Sequence, residues 1–107
     1  MTRRQYLRII GNDGRIRVDF HIDKGKVIKF VTQYELLVND QWCPVIRFDT
    51  AHNFVHIDII NPDGIKVKKK LSFINYGEAL TYSIADLSTN WKRYKKRFMR
   101  RLKNEKR

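Results

Sequence analysis

Residues 46–60 read Ile46-Arg47-Phe48-Asp49-Thr50-Ala51-His52-Asn53-Phe54-Val55-His56-Ile57-Asp58-Ile59-Ile60, and this stretch decides the fold. Apolar and polar side chains alternate on both sides of His52-Asn53, the period of a strand with one buried face. With His52-Asn53 as a two-residue loop, Ile46 faces Ile59, Phe48 faces Ile57 and Thr50 faces Val55 on the core side. On the other side Arg47 faces Asp58 and Asp49 faces His56. Apolar meets apolar and charge meets countercharge at every pair, and a slip of one residue destroys the whole set. The loop itself lacks the glycine that such turns favour.

The next turn, Asn61-Pro62-Asp63-Gly64, fits a three-residue loop with Pro first and Gly at the left-handed position. Ile59 then faces Val67, Val55 faces Leu71, Asp58 faces Lys68 and His56 faces Lys70. Ile57 falls opposite Lys69, which marks this sixth strand (residues 65–73) as an edge. Upstream, residues 15–22 place Ile16, Val18, Phe20 and Ile22 on one face and Arg15, Arg17, Asp19 and His21 on the other. A turn at Gly11-Asn12-Asp13-Gly14 pairs them with Tyr6, Leu7, Ile9 and Ile10. Asp23-Lys24-Gly25-Lys26 leads into a third strand over 27–37, and Asn39-Asp40 into a fourth over 43–51; the fifth spans 54–60. Connections this short make an antiparallel meander the simplest topology.

Beyond residue 75 the period changes. Leu80, Ile84, Leu87, Trp91, Tyr94, Phe98 and Leu102 recur every three or four positions, one apolar stripe on a helix over 76–104. The expected fold is α+β: one domain over 1–107, six antiparallel strands in 1–73, and the helix across one face. The stripe is long enough to outrun the sheet, which leaves Phe98 and Leu102 for a partner.

The chain of 107 residues carries 23 Lys and Arg against 11 Asp and Glu, a net charge of +12. That excess is local. Residues 92–107 hold ten basic residues and one acid, +9, whereas residues 1–91 hold 13 basic and 10 acidic, +3. Lys92, Arg93, Lys96, Arg97 and Arg100 therefore form a cationic arm suited to a polyanion, with RNA or another nucleic acid first among the candidates. Arg15, Arg17, Lys66, Lys68 and Lys70 extend the same expectation onto the sheet. No apolar run approaches the ~20 residues of a membrane-spanning helix, and no apolar core follows the basic first residues, so a membrane partner and secretion are not expected. Cys43 stands alone, which suits a reducing cytoplasm.

The face away from the helix carries two rows, Arg47–Asp58–Lys68 and Asp49–His56–Lys70. Three readings of this patch stay open. In the first, Arg47, Asp49, His52 and His56 perform acid–base chemistry on RNA without metal or cofactor. His56 carries the proton, Asp49 orients it, Arg47 and Lys70 hold the phosphate, and His52 is a second proton carrier. In the second, Asp49, His52, His56 and Asp58 ligate a metal, although no known zinc spacing is present. In the third, the rows are cross-strand ion pairs on a solvated face, each worth less than about 1 kcal/mol. His21 reads as a surface residue, and Trp42 as core or rim. Gly-rich phosphate loops, nucleophile elbows, cysteine triads and helix-turn-helix patterns are absent from the sequence.

The segment Arg47-Phe48-Asp49-Thr50-Ala51-His52, with His56 following, resembles the Arg-Tyr-Asp-x-Ala-His core of the TumE-like toxins of prokaryotic toxin–antitoxin systems and of related small proteins. The Asn61-Pro62-Asp63-Gly64 turn and the run from Tyr76 to Leu87, then Asn90-Trp91 and Tyr94, resemble the latter group. The likeness covers residues 45–95. It implies a meander-plus-helix protein that poisons RNA or translation and is neutralised by an antitoxin, with Arg47, Asp49, His52 and His56 as the positions carried over. A non-enzymatic nucleic-acid-binding or adaptor protein using the basic helix is the alternative. The oligomeric state stays open.

Overall fold

A computed structural model describes residues 1–105. Lys106 and Arg107, the end of the cationic arm, lie outside the described residues. Six strands stand side by side in chain order, each antiparallel to the next: β1 (Thr2–Ile10), β2 (Gly14–Asp23), β3 (Lys26–Val38), β4 (Gln41–Asp49), β5 (Val55–Ile60) and β6 (Lys66–Leu71). One helix, α1 (Tyr76–Glu105), follows and packs mainly on β3. This is the α+β meander that the alternation predicts.

The registers of the central hairpins are those expected. Ile46 pairs with Ile59, Arg47 with Asp58, Phe48 with Ile57 and Asp49 with His56. Across the next pair, Val55 meets Leu71, His56 Lys70, Ile57 Lys69, Asp58 Lys68 and Ile59 Val67, with β6 at the edge. The ladder stops one pair short of the expectation, because Thr50 is not paired with Val55. Its hydroxyl instead accepts a hydrogen bond from the Phe30 amide at 3.1 Å. The chain then closes through a short 3₁₀ turn, Ala51–Asn53, in which His52 and Asn53 both have positive φ, +64° and +65°. Two such residues in succession supply the twist that a glycine would provide more cheaply. Two register shifts, between His21 and Ile22 and between Tyr34 and Glu35, interrupt the strands where simple alternation expects none.

The helix begins on a side-chain cap. Asn75 Oδ1 accepts the Glu78 amide at 2.8 Å, satisfying one of the orphan donors of the first turn. The helix runs along the length of β3: Gly77 lies by Val27, and Trp91 meets Tyr34 edge-on at 6.5 Å. Fourteen helical residues rise ~21 Å and seven strand residues ~23 Å, so the two elements stay matched. Ile16, Val18, Phe30, Tyr34, Leu36, Ile46, Phe48, Ala79, Leu80 and Leu87 are buried between them. Gly11, with φ +68°, is where the β1–β2 turn meets the helix, and a Cβ there would stand 2.8 Å from the Trp91 ring. Phe98, expected to be left for a partner, is instead 2% exposed within the same core, and Leu102 is half-buried. No helix among the described residues is long and apolar enough to cross a membrane.

Candidate functional site

Between the two register shifts the six strands stay in step, and side chains on the face opposite the helix line up in rows. One row runs Leu7, Arg17, Gln33, Arg47, Asp58, Lys68, and the next Gln5, Asp19, Val31, Asp49, His56, Lys70. Arg15 and Glu35 pair beside the first row.

The centre of this face is not the solvated patch of ion pairs that alternation suggests. His56 is 1% exposed, Asp58 3%, Glu35 5% and Gln33 8%. Alternation reports which face a residue takes, whereas burial depends on what neighbouring side chains lay over it.

Two polar clusters result. Around Glu35, Arg15 Nε donates to Oε1 at 2.6 Å, Arg17 Nε to Oε2 at 3.3 Å and Gln33 Nε2 to Oε2 at 2.5 Å. Gln33 Oε1 in turn accepts from Arg47 Nε at 2.7 Å. Burial alone would raise the Glu35 carboxyl, but the bonds from Arg15, Gln33 and Arg17 outweigh it and hold the group below its ordinary range. Arg15 also lies over the Trp42 ring at 3.9 Å, so Trp42 is a rim residue with one face already occupied.

The second cluster is Asp49, His56 and Asp58. His56 Nε2 lies 2.6 Å from Asp49 Oδ1, and the same oxygen accepts the Ala51 amide at 3.1 Å. Asp58 Oδ2 lies 3.9 Å from His56 Nε2 and 4.0 Å from Arg47 Nη1. Both separations are too long for hydrogen bonds. Among the described residues, His56 Nδ1 and Asp58 Oδ1 have no partner.

Asp49 and His56 therefore come together as the alternation predicts, whereas Arg47 is held by Gln33 and stands 4.0 Å from Asp58. His52 does not join them. It sits exposed on the turn, stacked on Phe54 at 6.5 Å, and Phe54 separates it from His56. Arg15 and Arg17 are tied to Glu35, while Lys66, Lys68 and Lys70 line the exposed β6 edge. On the helix, Lys92, Arg93, Lys96 and Arg100 are exposed. Arg97 is half-buried and donates to Asn61 Oδ1 at 3.2 Å, and burial, then Arg101, lower its pKa.

A cleft of about 460 Å³ opens beside the second cluster, lined in part by Arg3, Asp19, His21, Lys29, Asp49 and Thr50. Asp49 thus belongs to both the cluster and the cleft. The sequence reading set His21 aside and passed over Arg3 and Lys29. The outer hairpins carry the signal: Arg3 pairs with His21 and His21 with Lys29. Arg3 forms a two-pronged ion pair with Asp19, with bonds of 3.0 and 2.7 Å, and this contact lowers the Asp19 pKa.

No curated protein and no solved structure matches this chain. A family model, described as Domain of unknown function (DUF7718), matches residues 1–104. That span takes in all six strands and nearly the whole helix, and the chain belongs to this DUF7718 family.

Proposed function

We propose that the protein acts on RNA as the toxin component of a toxin–antitoxin system, in the cytoplasm, with endoribonuclease chemistry centred on Asp49 and His56. The observation that carries this reading is the position of Asp49. Its carboxylate is anchored from behind by His56 and Ala51 and lines a cleft that also holds Arg3, His21 and Lys29. Lys29 beside a fixed carboxylate, with Arg3 shared with Asp19, suits a phosphodiester next to a group that accepts a proton. His56 is too buried to touch RNA directly, so in this reading it positions Asp49, and the half-buried His21 is the imidazole that lines the cleft. The likeness of residues 47–56 to the TumE-like motif points to the same residues.

Purified protein incubated with total RNA tests the proposal. Cleavage is expected, and Asp49→Asn is expected to slow it by about 10²–10⁴-fold, the usual worth of a proton-transfer group. RNA left intact by the wild-type protein overturns the nuclease reading.

Exposure of Lys92, Arg93, Lys96 and Arg100 along one helix favours a second reading, in which binding alone is the function. There, Asp49→Asn is silent, and reversing these four charges abolishes RNA binding and flattens its salt dependence. Should the four reversals instead release a co-purifying acidic protein, the helix would be the antitoxin surface.

A further inference from the structure

We propose that Asp49, His56 and Asp58 form a divalent-cation site, of a kind suited to Mn²⁺ or Zn²⁺. This deepens the reading of the same centre as the RNA-processing site, but it stands on the geometry of the cluster and on the state of Asp58.

The geometry comes from the β4–β5 register. Asp49 and His56 are directly opposed, and Asp58 is two residues along β5 on the same face. One ligand-type atom from each residue lies within 4.8 Å of the other two. A point equidistant from three such atoms is no more than about 2.8 Å from each, and closing to the usual 2.0–2.2 Å needs less than ~1 Å of side-chain movement.

Asp58 provides the independent observation. It and Glu35 are equally buried acids on the same face. Glu35 receives hydrogen bonds from Arg15, Arg17 and Gln33. Asp58 receives none among the described residues: His56 Nε2 and Arg47 Nη1 stand at 3.9 and 4.0 Å, and Oδ1 is unpartnered. A buried carboxylate with no hydrogen bond needs a counter-charge closer than Arg47 provides. Asp58 Oδ2 is turned toward His56 Nε2 and Asp49, where a cation would supply one.

The surroundings fit. Ala51 holds Asp49 Oδ1, and Arg47, itself held by Gln33, stands behind Asp58, as outer contacts hold the ligands of metal sites. The cation takes the place of the close contact between Nε2 and Asp49 Oδ1, and both become its ligands. One imidazole and two carboxylates suit Mn²⁺ or Zn²⁺ better than the all-oxygen preference of Ca²⁺. Three protein ligands leave further positions for water or a phosphate oxygen, and of the three residues Asp49 lines the cleft. His52, the fourth ligand type in the sequence, is not part of the site.

The test uses full-length protein stripped with chelator and titrated with MnCl₂ and, separately, ZnCl₂ in the absence of RNA, by calorimetry. One ion per chain is expected, with affinity falling at least tenfold in Asp58→Asn and unchanged in Asp40→Asn, an exposed turn residue. Should Asp58→Asn fail to fold, Mn²⁺ line broadening in the wild-type protein decides, and it is expected around residues 49, 56 and 58. No saturable uptake, affinity unchanged in folded Asp58→Asn, or broadening confined to the turns at Asp23 and Asp40 overturns the site. RNA is absent throughout, so this result is separate from success or failure of the nuclease reading.

Discussion

The two faces of this sheet alternate along the same strands and bury side chains by different means. Toward the helix, Phe30, Tyr34, Leu36, Ile46 and Phe48 meet Ala79, Leu80 and Leu87, and shape and volume suffice. Away from it, Gln33, Glu35, His56 and Asp58 are nearly as inaccessible, although the described residues hold no second α-helix to cover them. Burial there depends on long neighbouring side chains, and every charge taken out of water needs a partner. The apolar face tolerates approximation in its contacts. The polar face does not, and the unequal fates of Glu35 and Asp58 show where its pairing is incomplete.

Substitutions break or sharpen this contrast. The largest effect belongs to the apolar face: Phe48→Ala empties a position that is 1% exposed and is expected to cost about 3–5 kcal/mol, read from urea unfolding. On the polar face, Glu35→Gln leaves Arg15 and Arg17 without their carboxylate and is expected to cost about 1.5–3 kcal/mol. The same residue gives a pH signature. Its lowered pKa means that its stabilisation is complete above the ordinary carboxylate range, ~4.3, and is lost as pH falls through the lowered value. Thermal midpoints of the wild type should therefore fall over that acid range, and Glu35→Gln should flatten that part of the curve. Asp58→Asn is expected to change least, within about 1 kcal/mol of wild type in chelator, because it removes a buried charge that holds no hydrogen bond. A loss as large as that of Glu35→Gln would show that Arg47 serves Asp58 better than their 4.0 Å separation indicates.

The sequence made the architecture legible because strands and helix differ so sharply in period. Arg47–Asp58, Asp49–His56 and Ile59–Val67 were each predictable from complementarity alone. The turn at Thr50 was not, since it depends on a hydroxyl reaching the backbone of β3, twenty residues away in sequence. The bulge between Tyr34 and Glu35 left no mark in the alternation either. For the site, Asp49–His56 and Arg47–Asp58 were legible as cross-strand pairs through their register. The depth at which His56 and Asp58 lie was not, because burial is a property of the assembled neighbours. His21 was missed for a related reason: its place beside the Asp49 cleft follows only when β1, β2 and β3 are registered together.

An open six-stranded sheet has two borders, and a border is an invitation to another strand. β6 presents Lys66, Lys68, Lys69 and Lys70 along one, while Arg3, Arg4 and Arg8 stud β1 on the other, beside exposed Tyr6, Leu7 and Ile9. These cations repel a second copy approaching edge to edge, so part of the net positive charge keeps the sheet finite. Neutralising them, with salt or with a polyanion, lowers that barrier, and colloidal stability becomes tied to ionic conditions.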